Sequence, residues 1–351
     1  MTELHNKQYL KGINGLRLLF AITLLLGHIP QPDFGDWGKT LAQIPWPIGC
    51  AYAFFALSGF LAGFHSNRHI SVRSYYKKKA KRLLPLYYLY ILVVIVVYFA
   101  FNWTDAIWKP NLLLYLFLLP EIPFCSSTGI IPLVHLWFIG VLVLFFLIFP
   151  LFTRIEAKKQ SRSAIIICLL WFAIKVCAYL INKESFIYRF FGVVSMDCLF
   201  LGVFAGILSR NENAIEIKIA ENRLISIIVW VLFLTSGIYG KFIPSVFRNE
   251  YIAIITVILI LCVSSSRPII NLENRILNKL GAISYEIYVV QILTIILTSY
   301  LYSRLNLDLP GFAIYAICII ATLLVSWIFN KATSFNQPDN NTTSPKDTIQ
   351  Q

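Results

Sequence analysis

Two ionisable side chains stand inside the first long apolar stretch of the chain, residues 13–30 (INGLRLLFAITLLLGHIP): Arg17 near one end and His28 near the other. Eleven residues, about three helical turns, put them on one face of a helix, roughly 16 Å apart along its axis. Ionisable groups are costly in a membrane helix and usually have a task there. A neutral imidazole can take a proton from a hydroxyl near neutral pH, which makes His28 a candidate general base. The structural alternative is a histidine that snorkels to the interface or bonds a carbonyl.

Five further stretches could carry chemistry. The second apolar stretch contains AFFALSGFLAG at 53–63, in which Ser58, Gly59 and Gly63 suit close helix packing or leave room for a ligand. No GxSxG elbow surrounds Ser58, so a serine nucleophile is not expected. A basic run, RHISVRSYYKKKAKR at 68–82, precedes Leu83-Leu84-Pro85. It is either a topology anchor for anionic lipid or a surface for a phosphorylated cofactor, which Lys and Arg pair with. His135 and Trp137 stand at the start of VHLWFIGVLVLFFLIFP, level with His28, as cavity lining or as interfacial residues. Lys175 and Asp197 lie near mid-membrane in successive stretches of opposite direction, where an ion pair would satisfy both. Glu286, in LGAISYEIYVVQ at 280–291, falls in the first turns of a helix, where a carboxylate is favourable without any catalytic role.

The elements that must position these groups are membrane helices. Of 351 residues, 58% are hydrophobic and 13% charged, and mean hydropathy is +0.71. A soluble domain would not carry so many long apolar runs. The expected fold is all-α, a polytopic bundle of about ten transmembrane helices at 13–30, 47–65, 83–101, 132–152, 164–181, 187–209, 224–240, 250–265, 282–302 and 311–330. The first lacks a signal-peptide cleavage pattern and is expected to be retained. The stretch 111–120, ending in Pro120, is too short to span and reads as re-entrant or interfacial. With both termini cytoplasmic, 21 of the 30 Lys and Arg fall inside and 7 outside, leaving Arg17 and Lys175 in the membrane. That bias satisfies the positive-inside rule and explains the net charge of +13 without nucleic acid. The seven cysteines, mostly in apolar runs, suggest neither a disulfide framework nor a metal site. Residues 1–333 form one expected membrane unit, and the polar tail 334–351 is expected to be disordered.

In order and spacing these stretches resemble the acyltransferase-3 family of bacterial membrane acyltransferases. The resemblance rests on Arg17 and His28, on Phe54-Phe55-Ala56-Leu57-Ser58-Gly59-Phe60, on Lys79, Arg82 and Pro85, on Leu136-Trp137-Phe138 through Pro150, and on Ile283-Ser284-Tyr285-Glu286-Ile287-Tyr288. Lys79 stands where the family's pattern usually has arginine, and Gln291 where it often has histidine. The resemblance covers residues 10 to about 330. It implies an acyl-CoA donor, chiefly acetyl-CoA, used as a substrate without a resident cofactor. It also implies a carbohydrate or glycolipid acceptor.

The expected function is then an integral membrane O-acyltransferase, first of all an O-acetyltransferase acting on a surface polysaccharide or glycolipid precursor, in the inner (plasma) membrane. His28 is the expected catalytic residue, as general base or transient acyl carrier. Arg17, Lys79 and Arg82 would hold the cofactor's phosphates, with Ser58, His135 and Glu286 supporting. A glycan transporter or exporter is the rival from another class, although no related halves are evident.

Overall fold

The computed structural model describes residues 10–30, 34, 36, 39, 42–66, 71–103, 112–119 and 130–334. All of the expected disordered tail beyond Ser334, which ends the last helix, and most of the 102–131 connection lie outside these residues. Among them, every regular element is a helix, with no strand. In chain order we label α1 (Ile13–His28), α2 (Cys50–Phe64), α3 (Val72–Ala100), α4 (Leu112–Leu116), α5 (Trp137–Phe152), α6 (Ala157–Asn182), α7 (Phe186–Val194), α8 (Met196–Arg210), α9 (Ala214–Glu221), α10 (Arg223–Leu234), α11 (Ser236–Tyr239), α12 (Ser245–Val263), α13 (Arg275–Ala282), α14 (Ser284–Arg304) and α15 (Gly311–Ser334).

Among the described residues, seven helical stretches are long and apolar enough to cross a membrane: 72–100, 134–152, 157–182, 186–210, 245–263, 284–304 and 311–334. The protein is a multi-pass membrane protein of helical class. An eighth crossing requires α10 and the 236–242 segment together, bent by 55°. The sequence suggested one unbroken span there. The bend has a packing cause: a Cβ on Gly237 would lie 2.2 Å from the carbonyl oxygens of both Pro45 and Trp46. The Ile48 N–H also donates to Ser236 Oγ at 3.2 Å. Helices α1 and α2, expected at 13–30 and 47–65, have 16 and 15 residues, short of the roughly 20 that a span takes.

Local sequence explains these lengths. Gly12, in the left-handed region at φ 73°, turns the chain into α1, and its N–H donates to Glu273 Oε2 at 2.6 Å. Pro30 follows the far end of the helix, where it cannot continue a helical ladder. On α3, Ser71 caps the start by accepting from the Ser74 N–H at 3.2 Å. Pro85 interrupts the α3 ladder three residues after Arg82.

The centre of the bundle is built on close backbone contact. A Cβ on Gly59 or Gly63 of α2 would lie 1.9 or 2.2 Å from the carbonyls of Leu199 and Val203 on α8. In return, one on Gly202 or Gly206 would lie 2.1 Å from the carbonyls of Ala56 and Phe60. This is the small-residue approach by which membrane helices gain packing without a hydrophobic driving force between them. The segment carrying Ser58 is therefore a packing seam. The stretch read as re-entrant contains the five-residue α4, tied to α3 by Tyr87 and Tyr88, whose hydroxyls donate to the carbonyls of Tyr115 and Leu116 at 2.7 and 2.9 Å.

Candidate active site

One end of α1 belongs to a cluster of cations. Arg17 on α1 and Lys79 and Arg82 on α3 lie within electrostatic reach of one another. Lys79 is fixed by ring contacts, its ammonium 4.0 Å from the centroid of Phe146 and 5.6 Å from that of Tyr75, a cation–π arrangement. Glu286, buried in the first turn of α14, interacts with Arg82. Its Oε1 accepts from Asn330 Nδ2 of α15 at 2.7 Å. The Tyr285 hydroxyl donates to the carbonyl of Leu83 at 3.1 Å, pinning α14 to the turn of α3 that follows Arg82. Of the three cations, Arg82 alone meets this carboxylate, which already has an amide partner. Such an excess of positive charge suits an anionic ligand, since guanidinium and ammonium groups pair with phosphate.

The other end of α1 opens on a cavity of about 340 Å³. His28 and His135 both line it, with Trp137 and Tyr288, and the rest of the wall is aliphatic. The Gln291 side chain, fully buried on α14, interacts with the imidazole of His28. His135 is buried, and its Nε2 lies 2.8 Å from the carbonyl of Val289. Its own carbonyl accepts from the Tyr288 hydroxyl. The Tyr90 hydroxyl donates to Pro132 O at 2.7 Å and so fixes the segment leading into His135. Two imidazoles in an otherwise apolar chamber can exchange protons with a hydroxyl held away from water.

Helix α14 joins the two ends. Tyr285 and Glu286 stand beside the cations; Tyr288, Gln291, Ile292, Ile295 and Ile296 stand beside the imidazoles. Of the residues singled out in the sequence, Arg17, Lys79, Arg82 and Glu286 come together at one end, and His28 and His135 at the other. Ser58 is half-buried on α2 and does not line the cavity. Sequence reading passed over Gln291 as a site residue because an amide cannot act as a base. Its position, where the resembling family often carries histidine, was the available signal. Tyr288 gave no signal beyond its motif.

Lys175 and Asp197 form the expected ion pair, Nζ to Oδ2 3.5 Å, with both side chains buried. A third partner was not foreseen: Lys175 also pairs with Glu250 of α12. The helix break at Ser195 (φ 39°) between α7 and α8 precedes Asp197. Asn249 Nδ2 secures it by donating to Gly192 O at 3.1 Å and Ser195 Oγ at 3.3 Å. Asp197, Cys198 and Glu250 are the one group of three potential metal-ligand side chains found among the described residues, and there the Lys175 ammonium contacts both carboxylates.

Comparison with known proteins gives a consistent result. Residues 10–331 match a family model described as an acyltransferase domain. The O-acetyltransferase OatA of Staphylococcus aureus strains NCTC 8325 / PS 47, COL and MRSA252 is 21% identical over 214 residues, which are 53% of this chain and 32% of that protein. The chain thus spans about a third of the length of these relatives. No solved structure matches. Because the family model takes in nearly all of the bundle, including both ends of α1, the chain belongs to the acyltransferase-3 family.

Proposed function

We propose that the protein is an integral O-acyltransferase of the inner (plasma) membrane, moving an acyl group, first of all acetyl, from acyl-CoA to a hydroxyl of a surface polysaccharide or glycolipid precursor. The observation that carries this reading is the placement of a cation cluster and a two-imidazole cavity at opposite ends of one helix pair, α1 and α14. A donor with a polyanionic head and a long neutral arm matches that separation. The relatives' name supports acetyl, and the apolar helices of the bundle support a site that shields the thioester from water.

Arg17, Lys79 and Arg82 hold the phosphates of CoA on the cytoplasmic side, the side assigned by the excess of Lys and Arg. Glu286 orients Arg82. The pantetheine arm runs along α1 toward the cavity and brings the thioester to His28. His28 removes the proton of the acceptor hydroxyl while its oxygen attacks the thioester carbonyl. The carbon–sulfur bond then breaks, the acyl group leaves as an ester of the acceptor, and the CoA thiolate takes up the proton from His28. Gln291 supplies a polar neighbour to the His28 imidazole on the α14 side, and His135 supports the acceptor within the same cavity. Ser58 acts only through packing of α2 on α8.

The direct test is His28→Ala in purified, reconstituted protein, with release of free CoA and ester formation on the acceptor as readouts. Loss of both with unchanged membrane insertion and yield is expected. Transfer that survives the substitution overturns the assignment.

A further inference from the structure

A second cavity, of about 210 Å³, lies at the α8–α9 turn, away from the site described above. Its lining includes Glu212, Glu216, Glu221 and Ser209 together with the apolar Phe60 and Leu261. The turn at 264–266 adds three serines. Its unusual member is Glu216. This side chain is 8% exposed, and its Oε2 is buried with no hydrogen-bond partner. A buried carboxylate oxygen left without a donor is costly. Glu216 lines the cavity between α8, α9 and α12, so a donor that enters this cavity is the economical solution. Burial pushes its carboxyl up to about 7, against the opposing effect of the Ser209 hydroxyl. The other charged groups that line the cavity are Glu212 and Glu221, and α12 with its following turn contributes only Leu261 and serines.

We propose that this cavity binds an alkylammonium group, seated on Glu216. A hard divalent ion is disfavoured by the donor set. Such ions take six or more oxygens at about 2.0–2.6 Å, whereas these three carboxylates do not converge within the 4.8 Å that unites Asp197, Cys198 and Glu250. Part of the lining is also apolar. An ammonium needs one carboxylate and one or two hydroxyl acceptors, and its carbon stem suits Phe60 and Leu261. The site stands apart from acyl transfer, so its failure and the failure of that assignment are distinguishable.

The two sources of such a group, a soluble amine and the headgroup of an ethanolamine lipid, are separated by two arms of one experiment. In the first, ethanolamine is titrated into the purified full chain in amine-free buffer by calorimetry at pH 6 and pH 8. Binding is expected to tighten several-fold at pH 8, where Glu216 is ionised, and to weaken at least tenfold in Glu216→Gln. In the second, protein reconstituted with phosphatidylethanolamine and phosphatidylglycerol is released for native mass spectrometry. Retention of the ethanolamine lipid by wild type and not by Glu216→Gln identifies the lipid source; binding only of free ethanolamine identifies the soluble one. Unchanged acyl transfer in Glu216→Gln serves as the folding control, with Glu216→Asp as a second variant should it misfold. No binding in either arm, equal binding by the variant, or displacement of ethanolamine by equimolar Mg²⁺ overturns the proposal.

Discussion

Among the described residues two groups of charges stand within this bundle, one buried around Lys175 and one reaching the surface at Arg82, and they are built on opposite terms. Around Lys175 a single ammonium meets two carboxylates, Asp197 and Glu250, contributed by α8 and α12. Around Arg17 three cations lie within electrostatic reach of one another, and the carboxylate that meets them, Glu286, interacts with Arg82 and is itself engaged by Asn330. In the first group the one cation meets its carboxylates within the protein, and Lys175 ties three helices together. The second leaves positive charge for something the protein does not contain. Charge inside a membrane is therefore not by itself a sign of chemistry. What separates a structural pair from a binding site is whether the chain supplies the counter-charge.

The contrast predicts different outcomes when each group is broken. Lys175→Met leaves two buried carboxylates without their cation and is expected to cost about 3–5 kcal/mol of stability, seen as loss of monodisperse protein in detergent chromatography. Wild-type behaviour of that variant would remove the structural assignment. Next in size, Lys79→Ala with Arg82→Ala is expected to leave yield unchanged and to weaken acyl-CoA binding at least tenfold by titration. The same binding should weaken with added salt, as charge-assisted phosphate contacts do. Destabilisation without loss of affinity would make the two charge groups alike. Smaller still, Gln291→Leu is expected to lower the maximal rate of transfer roughly tenfold while leaving acyl-CoA affinity unchanged. Gln291→Glu, which can still accept from a ring N–H, should recover part of it. Equal loss in both variants would reduce Gln291 to packing.

Much of this organisation is legible in the sequence, for identifiable reasons. The eleven-residue spacing of Arg17 and His28 fixes a shared face once the stretch is helical, because helical geometry is local. The Lys175–Asp197 pair follows from two costly charges at matching depth in adjacent segments. Glu250 escaped because it lies 53 residues beyond Asp197 and near a helix start, where a carboxylate raises no question. The break at α10–α11 escaped for a related reason. The apolar run through Thr235 continues, and what bends it is the backbone of Pro45 and Trp46 against Gly237, a contact that depends on tertiary structure. Gln291 escaped because its value comes from standing beside His28, an arrangement made only when α1 packs on α14. The small residues at 58–63 were legible as a packing seam, and their partners Gly202 and Gly206 carry the matching spacing on α8.

The central claim is that the two ends of α1 serve one reaction, donor binding at Arg17 and proton transfer at His28. The most direct measurement takes one preparation of His28→Ala and determines both acyl-CoA affinity and acyl transfer beside wild type. Affinity is expected to be unchanged and transfer to fall roughly 100- to 10,000-fold, the range a positioned acid–base group supplies. Transfer at the wild-type rate would contradict that claim.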